Sequence, residues 1–233
     1  MSWAVLSESL ILGLPGERPG GLALSVLAFL AAAVAGLAMG ALYAVVCVSS
    51  RLASSPLMMA AAVIRGIPPI VIVFALIHVP SFSALSGGLL GLALYSFSHV
   101  GETMRAYLMV YPQPLADAAR TTGLHPFLDW TYFRLPWALR RSLPALTTHW
   151  ISLLKDTGAL VVLGVAELTT TAKLISESTA HVDAWASVLG TAALLYFLTT
   201  CALLAAINRL RPLIDPTAGP VASRASLALR HNT

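Results

Sequence analysis

An all-α integral membrane protein is the fold class this sequence predicts, and three observations predict it. Of 233 residues, 58% are hydrophobic and only 10% are charged, with a mean hydropathy of +0.81. A soluble domain carries about 25% charged residues. The apolar residues gather into about five runs long enough to cross a hydrocarbon core. Between the third and fourth runs lies a polar, proline- and glycine-punctuated stretch, Pro112 to Pro136. The reading is therefore about five transmembrane helices with one structured loop, embedded in a lipid bilayer.

Residues 1–20 read as an external N-terminal segment. They lack the basic start of a cleavable signal, and their short apolar run is broken by Pro15 and Glu17. The first span, 21–48, is uncharged and ends at Ser49-Ser50-Arg51. It carries Ala32, Gly36 and Gly40, small residues four apart that allow close helix approach or are merely scattered in an alanine-rich helix. The second span, 58–79, is interrupted by Arg65-Gly66-Ile67-Pro68-Pro69, where proline removes backbone hydrogen bonds and must break or kink the helix. Residues 80–88 form a short uncharged turn. The third span, 89–110, places His99, Glu102 and Arg105 in its later half.

The punctuated stretch then reads as helix, glycine turn, helix. Pro114 suits a first helical turn, and Asp117 is placed in that turn beside the positive helix end. Gly123 suits a left-handed cap. His125-Pro126 opens a second short helix, and Leu135-Pro136 marks its end. The fourth span, 143–166, holds Lys155 and Asp156 near its middle. Residues 167–183 are polar and read as an external, partly helical segment. The fifth span, 184–207, closes at Arg209 and Arg211, and the tail 212–233 is rich in Pro, Ala and Ser.

Basic residues set the orientation. Arg51, Arg120, Arg134, Arg140, Arg141, Arg209 and Arg211 fall near one face, against Arg18 and Lys173 on the other. By the positive-inside rule the C-terminus and the punctuated loop are cytoplasmic and the N-terminus is external. The positive balance, +4, is thus a matter of orientation, with no free-standing basic cluster to bind nucleic acid.

A charge at a helix centre costs about 3 kcal/mol on insertion scales, so Lys155 and Asp156 must face protein or water. Arg65, Glu102 and Arg105 are candidate partners. Two readings stay open: a translocation path that meets a zwitterionic substrate, or an interhelical ion-pair network that fixes packing. Five of the histidines, His78, His99, His125, His149 and His181, show no ligand spacing, so no metal site is expected. No phosphate-binding Gly-x4-Gly-Lys-Ser/Thr loop occurs, and no nucleophile-base-acid arrangement can be argued. His149, Ser152 and Asp156 share a rough helical face, which buried polar packing explains. The two cysteines, Cys47 and Cys201, make no disulfide framework.

The loop carries a resemblance. Asp117-Ala118-Ala119, three residues, Gly123, nine residues, Phe133, one residue, Leu135-Pro136 resembles the EAA loop of ABC importer permeases. Asp117 stands for the usual Glu, and Phe133 for an aliphatic residue. Arg65-Gly66-Ile67-Pro68 is similar to the Arg-Gly-Thr-Pro motif of the polar amino-acid branch, with Ile67 for Thr. The stretch from Tyr95 to Arg105 resembles the family segment that leads into the loop, although Pro114-Leu115 replaces its Gly-Gln. Ile151 to Gly158, followed by Gly164 to Leu168, resembles the branch's Ile-Ser-Leu-Leu-Lys-Asp-Thr-Ser-Leu and Gly-Val-Ala-Glu-Leu, with Gly158 for Ser.

The resemblance implies a type I importer permease fold with a cytoplasmic coupling helix, in a bacterial inner membrane. It implies that Ala116, Asp117, Ala118, Ala119, Gly123, Leu135 and Pro136 couple the chain to an ATPase subunit. It implies a second permease subunit, the same or different, and an external substrate-binding protein. ATP and Mg are then bound by the ATPase, no cofactor by this chain, and the chain is a transport subunit rather than an enzyme. The solute class implied is polar amino acids. Alternatives are a permease for another small solute, such as an opine or a methionine-like compound, or a secondary transporter that works without ATP.

Overall fold

The computed structural model describes residues 3–16, 19–178 and 182–214. The expectations for Arg18, for His181 and for the tail beyond 214 lie outside them. The described residues form helices joined by short turns, with one isolated parallel bridge, Gly21 to Glu167.

Helix α1 covers Trp3–Leu12, within the N-terminal segment 1–20. Its Leu6 and Leu10 are buried with Leu168, Ala172 and Ile175. Helix α2, Gly21–Ser49, is about 44 Å long at 1.5 Å per residue. Its Ala32, Gly36 and Gly40 are all buried, so the small residues do form a packing face. They lie against α5, Ala84–Met109. A methyl on Gly36 would stand 2.3 Å from Ser96 Oγ, and one on Gly40 would stand 2.8 Å from the backbone nitrogen of Gly101. Backbones this close gain dispersion contacts that larger side chains would forbid.

The second apolar run is broken as expected. Helix α3, Arg51–Gly66, and helix α4, Pro69–Ile77, meet at an angle of 101°. Ile67 is extended (φ −98°, ψ 128°) because the ring of Pro68 drives the residue before it out of the helical region. Pro69 then sits in the first turn of α4, where its missing N–H costs nothing. Helix α5 begins earlier than the hydropathy suggests. Ser83 and Ser86 form a reciprocal capping box, Ser83 Oγ accepting from Ser86 N at 3.2 Å and Ser86 Oγ from Ser83 N at 2.9 Å.

The loop follows as α6, Gln113–Thr121, and α7, Pro126–Leu128. Leu135-Pro136 does not end a helix here. A π-helical turn over Asp129–Arg134 runs directly into α8, Leu135–Asp156. Leu135 N–H reaches back five residues to Trp130 O. The wider turn accommodates Pro136, whose ring would otherwise clash with the carbonyl four residues back. Helix α8 ends at Asp156 and passes into a 3-10 segment, Thr157–Leu163, that stops at Gly164 (φ +67°). Helix α9 spans Leu168–Glu177 and α10 spans Val182–Ile214.

By length and composition α2 and the 185–214 part of α10 can each cross a membrane, and the bent α3–α4 pair counts as a third candidate. Helices α5 and α8 are long but carry the charged and histidine side chains described below. Leu30, Val34 and Leu42 of α2 and Leu194, Phe197 and Leu198 of α10 point outward, as side chains facing lipid do. One core, around Phe29, Val73, Leu92, Leu153 and Leu160, joins α2, α4, α5 and α8. A second, around Tyr43, Ala61, Val100, Met104, Ala138 and Leu146, lies at the loop end and joins α2, α3, α5 and α8.

Candidate functional site: a docking loop and a polar face

Helix α6 is short, so its caps decide whether it forms. Pro114 lies in its first turn. Asp117 does not: the helix starts at Gln113, which puts Asp117 one turn in. Its Oδ1 accepts from Gln113 Nε2 at 3.2 Å and from Arg120 Nη1 at 3.3 Å, side-chain pairs along one face instead of a helix-end contact. At the other end Gly123 is left-handed (φ +67°). Its N–H donates to Arg120 O, and Leu124 N–H donates to Ala119 O at 3.0 Å, the double closure of a Schellman turn. Ala116 is buried, while Asp117 and Ala118 are exposed and Ala119 is half-buried. The helix therefore turns a small, acidic surface outward.

The second half of the loop is anchored by Arg134. Its Nε donates to Asp129 Oδ2 at 2.6 Å, and its guanidinium lies over the rings of Tyr111 and Trp130 at 5.2 and 5.1 Å. This clamps the π-helical turn to the chain just after α5. Burial, then the nearby Asp129 charge, pushes the Tyr111 phenol above its usual range. Leu135 and Pro136 are half-buried at the start of α8. A cleft of about 370 Å³ opens between α6 and the end of α2, lined by Ser49, Ala119, Arg120, Asp129, Trp130 and Arg134.

Deeper in the helices the predicted charges divide into two groups. Arg65, Glu102 and Arg105 come together. Both nitrogens of Arg105 that face Glu102 donate to its carboxylate, Nε at 2.9 Å. Tyr43 OH donates to Glu102 Oε2 at 3.0 Å. Arg65 Nη1 stands 4.0 Å from Glu102 and donates to the carbonyl of Ser98 at 3.1 Å. This ties α2, α3 and α5 together.

Lys155 and Asp156 are not part of that group. Among the described residues no ion pair joins either to it. They are not mid-helix, as their place in the apolar run suggests, but the last two residues of α8. The helix begins at Leu135, earlier than the expected start of the fourth span at 143, and Arg140-Arg141 lie inside it. Lys155 is exposed and Asp156 half-buried.

Three features went unrecognised in the sequence. Glu167, placed there at the start of an external segment, is fully buried. It caps α9, accepting from Thr169 N at 2.9 Å and Thr170 N at 2.8 Å, and also from Ser25 Oγ at 3.1 Å and Tyr196 OH at 3.0 Å. The acidic residue before Leu168-Thr169-Thr170 was the legible sign of a cap. The Asp129–Arg134 pair is the second. The third is a ring cluster. His99 of α5 and His149 of α8 stack with centroids 5.0 Å apart and planes 6° from parallel. Tyr95 lies 4.5 Å from His99 and 6.0 Å from His149. His149 Nε2 meets Ser96 Oγ at 3.2 Å.

Comparison with known proteins agrees with this architecture. Residues 28–217 match the family described as binding-protein-dependent transport system inner membrane component. The chain is 28% identical to the arginine ABC transporter permease protein ArtQ of Haemophilus influenzae, over 65% of this chain and 73% of that one. It is 31% identical to the glutamine transport system permease protein GlnP of Escherichia coli K12, over 64% and 69%. An amino acid ABC transporter crystallised with histidines superposes with a TM-score of 0.70 at 26% identity, covering 82% of this chain and 91% of that chain. The inward-facing methionine transporter MetNI superposes with a TM-score of 0.72 over 92% and 100%, and at 16% identity shows the fold alone. The family match spans most of the helical body and the whole loop, and the chain belongs to the binding-protein-dependent transport system inner membrane components.

Proposed function

We propose that this chain is the transmembrane subunit of an ATP-driven importer for polar amino acids, and that α6 is its coupling helix. The observation that carries the proposal is α6 itself. It is a capped helix with an exposed Asp117-Ala118 surface, held by Ala116 and the Arg134 clamp to a rigid body. Small side chains let a groove on an ATPase close tightly over the helix. Gly123 turns the chain back, so that Leu135 and Pro136 pass any displacement of α6 into α8.

In this reading the loop and C-terminus are cytoplasmic, the N-terminus is external, and residues 21–211 form the membrane domain. Its five crossings are α2, the bent α3–α4 pair, α5, α8 and α10, with residues 212–233 as a cytoplasmic tail. Two permease subunits pair to form the path, two ATPase subunits bind ATP and Mg, and a binding protein delivers solute from outside. Arg65, Glu102 and Arg105 act as a packing network. Lys155, exposed, and Asp156, half-buried, are unpaired with it and face the path. The amino-acid assignment rests on relatives named for arginine and glutamine. An opine is the second reading, since the nopaline transport system permease protein NocQ of Agrobacterium fabrum is 27% identical over half of this chain.

The test is reconstitution of the assembled importer in proteoliposomes. Ala118→Trp should leave the permease subunit folded but keep the ATPase from docking on α6, so that ATP-driven uptake is largely lost. Undiminished coupled uptake would contradict the role given to α6. Uptake by the chain without any ATPase would move the secondary-transporter reading to the front.

A further inference from the structure

We propose that the groove between α8 and α10, at the loop end of the helices, holds an anionic phospholipid, with Arg140 and Arg211 on its headgroup phosphate. Such a site is independent of the solute the chain carries.

The groove has a volume of about 160 Å³, lined by Leu143, Pro144 and Thr147 of α8 and by Leu204, Asn208 and Arg211 of α10. Helix α10 starts beside α9, beyond the far end of α8, where Val188 and Ala192 pack with Leu168 and Ala172. Its later half returns to Leu143 and Pro144, so the two helices run antiparallel. Arg140 comes four residues before Pro144 and seven before Thr147, on the same face of α8. Arg211 comes three residues after Asn208 and seven after Leu204, on the same face of α10. Both cations therefore stand at the loop end of the groove, with its apolar part above them.

This profile matches a lipid at headgroup depth. Trp137, one turn before Arg141, meets Tyr111 edge-on at 5.2 Å, and Arg141 lies over its ring at 6.0 Å. Rings of this kind gather at the membrane–water interface. Further along α10, Leu194, Phe197 and Leu198 are exposed, as is Leu204 in the groove itself, so acyl chains lie against this helix and can enter the groove. Arg140 is exposed and Arg211 half-buried. Among the described residues neither has an ion-pair partner, which leaves two guanidiniums for a phosphate. A zwitterionic headgroup brings its own ammonium towards them, so the groove favours a lipid of net negative charge. A free phosphate would leave the apolar half of the groove unused.

The experiment is native mass spectrometry of the permease, purified in mild detergent with its companion subunits, stripped of lipid and titrated with phosphatidylglycerol or phosphatidylcholine. One phosphatidylglycerol should bind per permease, at least about tenfold more tightly than phosphatidylcholine. Arg140→Gln and Arg211→Gln should each weaken it about fivefold, and together about thirtyfold. Arg209→Gln is the control. It removes a cation two residues from Arg211, on the other side of α10, and should change the affinity less than about twofold. The subunits and melting temperature of each variant report that it is folded and assembled. Equal binding of the two lipids, or no lipid held by the intact complex, would overturn the proposal. An effect of Arg209→Gln as large as that of Arg211→Gln would do the same, since it means diffuse attraction to surface charge. Displacement of the lipid by inorganic phosphate at similar concentration would overturn it in favour of a simple anion site. An ATPase among the companion subunits is read separately, so each of these results leaves the importer reading standing.

Discussion

Replacing Gly40 by alanine tests how closely α2 and α5 must approach. The new methyl would lie 2.8 Å from the backbone nitrogen of Gly101, 2.9 Å from Val100 Cγ1 and 3.1 Å from Val100 Cβ. Ordinary contacts between such atoms are about 3.5–4.0 Å. The helices must therefore part by roughly 0.7 Å or distort, and the nearest obstacle is backbone, which cannot rotate away. Overpacking of this kind costs about 1–3 kcal/mol. The cost falls on the α2–α5 interface, beside Tyr43, whose hydroxyl donates to Glu102. Gly190 of α10 is the control, because a methyl there meets nothing within 4 Å. Alanine at 190 should be neutral or stabilising by up to about 1 kcal/mol, since glycine weakens a helix interior. The assay is thermal unfolding of the purified complex in mild detergent. Gly40→Ala should melt several degrees lower, and Gly190→Ala should not. If the two variants melt alike, the close α2–α5 approach is not a determinant of stability and the packing argument fails.

Other perturbations follow from the same geometry. Glu167→Ala removes the acceptor for two backbone N–H groups, Ser25 and Tyr196, and should destabilise by about 3 kcal/mol or more, with Glu167→Gln less severe; proteolysis in the membrane would rank them. Arg134→Ala leaves Asp129 buried without its counter-charge and should cost about 3 kcal/mol, read as easier cleavage of the loop between α6 and α8. Asp117→Ala breaks only exposed side-chain contacts, with Gln113 and Arg120, so the melting temperature should hold within the effect of about 0.5 kcal/mol, while coupled uptake falls. Gly123→Ala forces a side chain into a left-handed cap with open space around it, so it should cost about 1 kcal/mol through the backbone alone, and protection of Leu124 from hydrogen exchange should drop.

Much of the fold was legible because membrane helices announce themselves by composition and proline by its missing N–H. The 21–48 run, the break at Pro68-Pro69 and the turn at Gly123 all follow from local chemistry. What was misplaced depended on amphipathic stretches. Arg140-Arg141 lie within α8, and hydropathy discards such residues, so α8 was started too late and Lys155-Asp156 drifted to its centre. Glu167 looked external because a lone carboxylate in a polar segment usually is; its burial depends on donors from Ser25 and Tyr196, far away in sequence. The His99–His149 stack was invisible for the same reason. No spacing rule links residues on different helices. The π-helical turn before Pro136 escaped because a proline after a short helix reads as a stop.

The most direct test of the account is affinity purification of the chain from its native membrane in mild detergent, through a tag on the C-terminal tail, with the co-purifying proteins identified by mass spectrometry. The account predicts a stoichiometric ATPase subunit that is lost from Ala118→Trp while the permease itself is still recovered folded. Recovery of the chain without an ATPase under conditions that preserve the membrane complex would contradict it, as would an ATPase that stays bound when α6 is blocked.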